Sequence, residues 1–174
     1  MKNTVLFDAL TRDILENDVF LRSKQFTQHG NISIYAHSLS VARLSFSMAE
    51  GKKNIDVRCV VRAALLHDFF LYDWHKRIWS LHGWMHPVTA AENAKKYFAV
   101  SDREYSCIRS HMWPYTLFHP PVCREGWIVC MADKIIAVKE TLFRWGKRHK
   151  LQDPGAILPE TGKETAEGPF PGLG

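Results

Sequence analysis

The chain has 174 residues, 46% of them hydrophobic and 24% charged, with a formal net charge of +5. That is enough for one domain with a proper core, too short to expect two, and too apolar for a wholly disordered chain. The charge fits a phosphate-bearing ligand, and the sequence lacks the aromatic–basic motif of a nucleic-acid module.

Periodicity is helical nearly throughout, and no segment alternates long enough to argue a strand. A first helix is expected from about Thr4 to Asn17. Asp8, Asp13 and Glu16 interrupt its apolar pattern, so it reads as no signal peptide. Nowhere do about 18 uncharged apolar residues run together, as a membrane span needs. With four cysteines (Cys59, Cys107, Cys123, Cys130) and no C-x-x-C pair, the expectation is reduced thiols in a cytoplasmic protein.

A second helix is expected from Val19 to Gln28, stopping at Gly30, and a third from Ser33 to Glu50, stopping at Gly51. Asp56 is a candidate N-cap for a helix from Val57 to Phe70. The stretch Leu71 to Gly83 is irregular and aromatic, and Pro87 suits the first position of a helix running to Phe98. Ser101 with Glu104 forms a capping box for a helix ending near Trp113–Pro114. A long last helix is expected from Arg124 to Lys150, its terminal Arg144, Lys147, Arg148 and Lys150 complementing the helix dipole. The fold class is therefore all-α, a single helical bundle over residues 1–150 with six to eight helices. Residues 151–174, rich in proline and glycine, read as a disordered tail. Its Leu158-Pro159-Glu160-Thr161-Gly162 run resembles a sortase sorting signal without the surrounding segments that signal needs, so an appended tag or a chance match is the reading.

Six polar residues stand out because helical spacing points them inward. Ile34, His37, Val41, Leu44 and Met48 step by 3, 4, 3 and 4, which puts an imidazole on a core stripe. On the next helix His67 and Asp68 sit at the inward edge, and on the last Asp133 aligns with Val129 and Ile136. His86 and His111 complete the series. Each alone could be a hydrogen-bonded core residue or a cap. Two inward carboxylates beside several inward imidazoles, however, need a shared partner, because unpaired buried charge is costly. One or two divalent transition metals (Fe, Mn, Ni, Co or Zn) would satisfy all six.

The order H … HD … H … H … D resembles the HD-domain phosphohydrolase superfamily over roughly residues 25 to 145. The local runs agree: His37-Ser38 with Val41-Ala42, Ala63-Ala64-Leu65-Leu66-His67-Asp68, His86-Pro87-Val88-Thr89-Ala90, and Ala132-Asp133-Lys134-Ile135. The resemblance implies that His37, His67, Asp68 and Asp133 bind one metal. His86 and His111 would bind a second, with Asp68 bridging and orienting. Many two-metal members carry glycine-lysine just after the HD pair, whereas Phe69-Phe70-Leu71-Tyr72 follows here. Lys76, then Arg77, is the expected phosphate contact, and His82 a supporting or proton-donating group. Arg109, two positions before His111, should point away. Trp74, Trp79, Trp84 and Trp113 bracket the site and could stack on a base or fill the core.

The implied activity is hydrolysis of a small phosphate ester, a nucleotide or dinucleotide, by metal-activated water. The same ligand order also occurs in di-iron oxygenases of the superfamily, and a non-catalytic nucleotide-sensing pocket is a third reading. The oligomeric state is not legible.

Overall fold

The computed structural model describes residues 2–29, 32–72 and 79–152, with side chains over 4–27, 32–72 and 83–142. Among these are the helices α1 (Lys2–Leu15), α2 (Asp18–Leu21), α3 (Ile34–Ala49), α4 (Val57–Leu66), α5 (Trp79–Tyr97), α6 (Asp102–Ser110) and α7 (Arg124–Gln152). A 3-10 turn, Arg22–Gln25, and a small antiparallel hairpin of β1 (Thr27–His29) and β2 (Ile32–Ser33) link α2 to α3. The fold is all-α apart from that hairpin.

The middle of the bundle is α4. Every residue from Cys59 to Leu66 is buried, and α1, α3, α5, α6 and α7 all pack against it. A helix buried on all sides should be apolar on all sides, and Arg62 departs from this. Its guanidinium donates from Nε to Glu104 Oε1 on α6 (3.1 Å) and from Nη1 to both oxygens of Asp13 on α1. The other core residues, such as Phe20, Val41, Val60, Phe69, Ile108 and Val129, form one continuous cluster.

Helix starts follow local chemistry. Ser33 accepts from Ala36 N, Asp56 from Cys59 N, and Ser101 and Glu104 form the reciprocal capping box. Gly51, just past α3, has φ +71°, the left-handed conformation glycine tolerates best.

Four boundaries depart most from the sequence expectation, each for a physical reason. The expected helix Val19–Gln28 is cut at Leu21, where the 3-10 turn redirects the chain into β1. A strand of two or three residues carries too little alternation to be read from sequence. Both α4 and α6 end earlier than expected, at Leu66 and Ser110, because the next residue is a histidine that bonds back to its own helix. And α5 begins at Trp79, upstream of Pro87, which lies inside the helix rather than at its start. Proline leaves the Gly83 carbonyl without its usual helical donor. The Tyr115 ring packs so closely on Gly83 that any Cβ there would collide with it. The expected tail lies largely outside the described residues, although α7 continues to Gln152.

Candidate metal centre

Five helices deliver one polar cluster to the bundle centre. α3 supplies His37 and α5 His86, α7 supplies Asp133, and His67 and Asp68 follow the end of α4. His111 follows the end of α6. All six are buried. The sequence reading placed His67 and Asp68 on helical stripes; they lie instead in the turn just past Leu66. There the His67 Nδ1–H donates to Ala64 O at 2.7 Å, capping a carbonyl at the helix end. His111 repeats the device, its Nδ1–H donating to Ile108 O at 2.7 Å. Fixing the proton on Nδ1 leaves the Nε2 atom of each neutral ring as a lone-pair donor aimed inward.

The donor atoms fall into two sets that share one carboxylate. His37 Nε2 and His67 Nε2 lie 3.8 and 3.3 Å from Asp68 Oδ2, and 3.1 and 3.5 Å from Asp133 Oδ1. The opposite oxygen, Asp68 Oδ1, is 3.4 Å from His86 Nε2 and 3.5 Å from His111 Nε2, which are themselves 3.0 Å apart. A cation about 2.0–2.2 Å from each donor would hold neighbouring donors about 2.8–3.6 Å apart. The first set spans 3.1–3.8 Å and the second 3.0–3.5 Å, so both are close to that spacing.

His67 Nε2 gives an independent test of fit. It is fully buried, and no hydrogen bond satisfies it despite two nearby carboxylates. Leaving such an atom unsatisfied is costly, and a cation between it and the carboxylates removes the cost. Nitrogen and oxygen donors without thiolates suit a divalent transition metal.

Without a cation the same field holds protons. Burial alone would lower the pKa of His37, but the Asp133 and Glu140 carboxylates overcome it and raise His37 to about 9. Burial likewise opposes charge on His67, yet Asp68 and Asp133 hold it well above the ordinary value. Burial would raise Asp68 and Asp133; their histidine neighbours keep both well below the usual carboxylate range.

This fixes the sign of a pH effect. His37, raised from 6.5 to about 9, stabilises the metal-free fold fully below 6.5 and loses that contribution as pH rises through about 9. The depressed aspartates stabilise it above about 3.8, a contribution lost in acid. Metal-free protein should therefore melt at lower temperature at pH 9.5 than at pH 7, whereas metal-loaded protein should not. Loading at pH 7 should release about one to two protons, measurable by calorimetry in buffers of different ionisation enthalpy. A metal-free melting temperature that climbs from pH 7 to 9.5 would contradict the assignment.

One participant escaped the sequence reading. Glu140, on α7, accepts from His37 Nδ1 at 2.9 Å while His37 Nε2 faces the cluster. A carboxylate behind a histidine fixes the ring and strengthens its other nitrogen as a donor. The signal was available: Glu140 lies seven residues after Asp133, two turns along the same helical face. Glu140→Gln should weaken metal binding at the first set about 10- to 100-fold, read by competition with a chromogenic chelator. Retention of full affinity would remove Glu140 from the centre.

Of the remaining expected residues, Lys76, Arg77, Trp74 and the Trp79 side chain lie outside the described residues. His82 falls within α5, but its side chain lies outside them, as do the side chains of Arg144, Lys147, Arg148 and Lys150. Trp84 is largely exposed and contacts Tyr115, while Trp113 meets Trp127 edge-on at 5.0 Å.

A sequence profile of the HD domain matches residues 34–138, the span that contains all six donors. The chain belongs to the HD domain family. No curated protein and no solved structure gives a significant match. HD domain proteins bind divalent metals and are generally phosphohydrolases, so membership points to metal-dependent hydrolysis as the broad activity. No described helix of this HD domain is long and apolar enough to cross a membrane.

Proposed function

We propose that this HD domain is a metal-dependent phosphohydrolase acting on a small phosphate ester, a nucleotide or dinucleotide. The observation that carries the reading is Asp68, whose two oxygens face two separate imidazole pairs. His37, His67, Asp68 and Asp133 would hold one divalent cation, and Asp68, His86 and His111 a second. When bound, such cations acidify a water and neutralise charge on phosphoryl oxygens.

The protein's own contribution is orientation and exclusion of water. Asp68 is fixed between four imidazoles at the bundle centre and its side chain is 2% exposed, so it fixes both donor sets relative to each other. Glu140 holds the proton on His37 Nδ1, and the Ala64 and Ile108 carbonyls hold those on His67 and His111. All three rings therefore present the same nitrogen inward. Among the described donors, Asp133 on α7 is the most exposed, at 13% against 4% or less for the others, and a substrate approaching from that side would meet it first.

The test combines metal analysis with turnover. Protein purified without chelators should carry about two equivalents of transition metal and hydrolyse p-nitrophenyl phosphate, bis(p-nitrophenyl) phosphate or a nucleotide from a screen. Absence of metal even after reconstitution would sink the hydrolase reading. Stoichiometric nucleotide binding without turnover would replace it with a sensing module, and aerobic oxygen consumption with an organic substrate would replace it with an oxygenase.

A further inference from the structure

We infer that Lys134 is the cation that grips the phosphoryl group at this centre, an inference that rests on the phosphohydrolase reading above. Bound cations would meet part of the phosphoryl charge, and a protein cation beside the donor set adds a contact to the oxygens they leave free. Asp68 and Asp133 supply the carboxylates of that set, with Glu140 behind His37.

Lys134 meets the geometric conditions. It follows Asp133 on α7, and its ammonium lies 3.8 Å from Asp133 Oδ2. That is the oxygen on the other side of the carboxylate from Oδ1, which faces His37 and His67. Among the described residues, the lysine or arginine nearest these carboxylates is Lys134. Its side chain is 34% exposed, against 13% for Asp133 and 4% or less for the other five donors. The buried cluster therefore grades into solvent at Asp133 and Lys134, where an ester can enter.

The ammonium is also held in place. Nζ donates to His111 O at 2.9 Å, which ties the end of α6 to α7 and spends one of the three ammonium donors. With the Cys130 thiol and the Asp133 carboxylate also beside it, the ammonium can still meet phosphoryl oxygens as a compact point charge. Lys134 supplies such a charge from α7; Lys76, the contact expected from the sequence, lies outside the described residues.

The test measures binding of inorganic phosphate to manganese-loaded protein by calorimetry, with metal content and p-nitrophenyl phosphate turnover in parallel. Lys134→Met should keep its metal and stay folded, with a modest fall in melting temperature from the lost His111 tie, while binding phosphate at least about tenfold more weakly and showing a raised KM. Lys134→Arg should stay within about threefold of the parent, since it restores the charge. Unchanged phosphate affinity in Lys134→Met, in a protein that binds phosphate and turns over substrate, would overturn the assignment alone. Loss of a metal equivalent in Lys134→Met would overturn it too and leave Lys134 as a strut for His111. Failure of the loaded parent protein to bind phosphate or hydrolyse any ester would remove the phosphohydrolase reading together with it.

Discussion

Asp68→Ala should strip this HD domain of both metal equivalents and reduce hydrolysis by about a thousandfold or more, or about 4 kcal/mol of transition-state stabilisation. The reason is topological. Asp68 Oδ2 belongs to the set with His37, His67 and Asp133, and Oδ1 to the set with His86 and His111. Among the described residues no other carboxylate faces both pairs, although His67 lies within reach of His111 as well as of Asp133. His86→Ala should behave differently, losing one equivalent and retaining the other, because His86 faces only Oδ1. Inductively coupled plasma mass spectrometry on the two variants separates a shared carboxylate from a simple cluster. Equal losses in both would argue against two sets. The alanine also removes the buried charge opposite His67, so melting temperatures must accompany the metal counts to show that both variants are folded.

Arg62→Leu should destabilise the fold by about 3–5 kcal/mol without touching the metal centre. Arg62 and Glu104 have side chains only 2% and 1% exposed, so removing the guanidinium leaves a buried carboxylate with the largely exposed Arg58 guanidinium, at 3.9 Å, as its remaining ionic partner among the described residues. Part of that carboxylate is committed elsewhere: Glu104 Oε2 accepts from Ser101 N at 2.6 Å as the reciprocal half of the α6 capping box. Loss of Arg62 therefore loosens the start of α6 as well as the α4–α6 contact. Replacing both residues, Arg62→Leu with Glu104→Leu, should recover much of the loss by removing the stranded charge, at the cost of the box, worth about 1 kcal/mol. Urea denaturation of the three proteins gives the comparison. A mild effect of Arg62→Leu alone would mean that water reaches Glu104 more freely than its burial implies.

The sequence disclosed the centre better than it disclosed the helix ends. His37 and Asp133 were legible because they occupy core positions of long helices, where a polar residue violates an apolar stripe. His67 and Asp68 stand out by inward helical spacing and by the Leu65-Leu66-His67-Asp68 run, yet both lie in the turn past α4 and not on it. Periodicity does not register a side chain that caps its own helix, as His67 does. Pro87 misled for a related reason: the rule for first-turn proline is local, and the packing of Tyr115 on Gly83 is not. Glu140 and Lys134 were passed over because each looks like ordinary helix-surface charge until α3 and the end of α6 are brought against α7.

The two histidine caps have a consequence for ion capture. α4 and α6 both terminate at the centre, each with its C-terminal end beside a donor imidazole. Aligned peptide dipoles leave about half a negative charge at such an end, an attraction worth about 0.3–1 kcal/mol per terminus for a cation held there. Backbone alone thus makes this point of the bundle a shallow electrostatic well, present in every side-chain variant that keeps the two helices. Substituting donors one at a time would strip away coordination and leave that bias, so residual weak cation affinity in such variants would be a property of the scaffold.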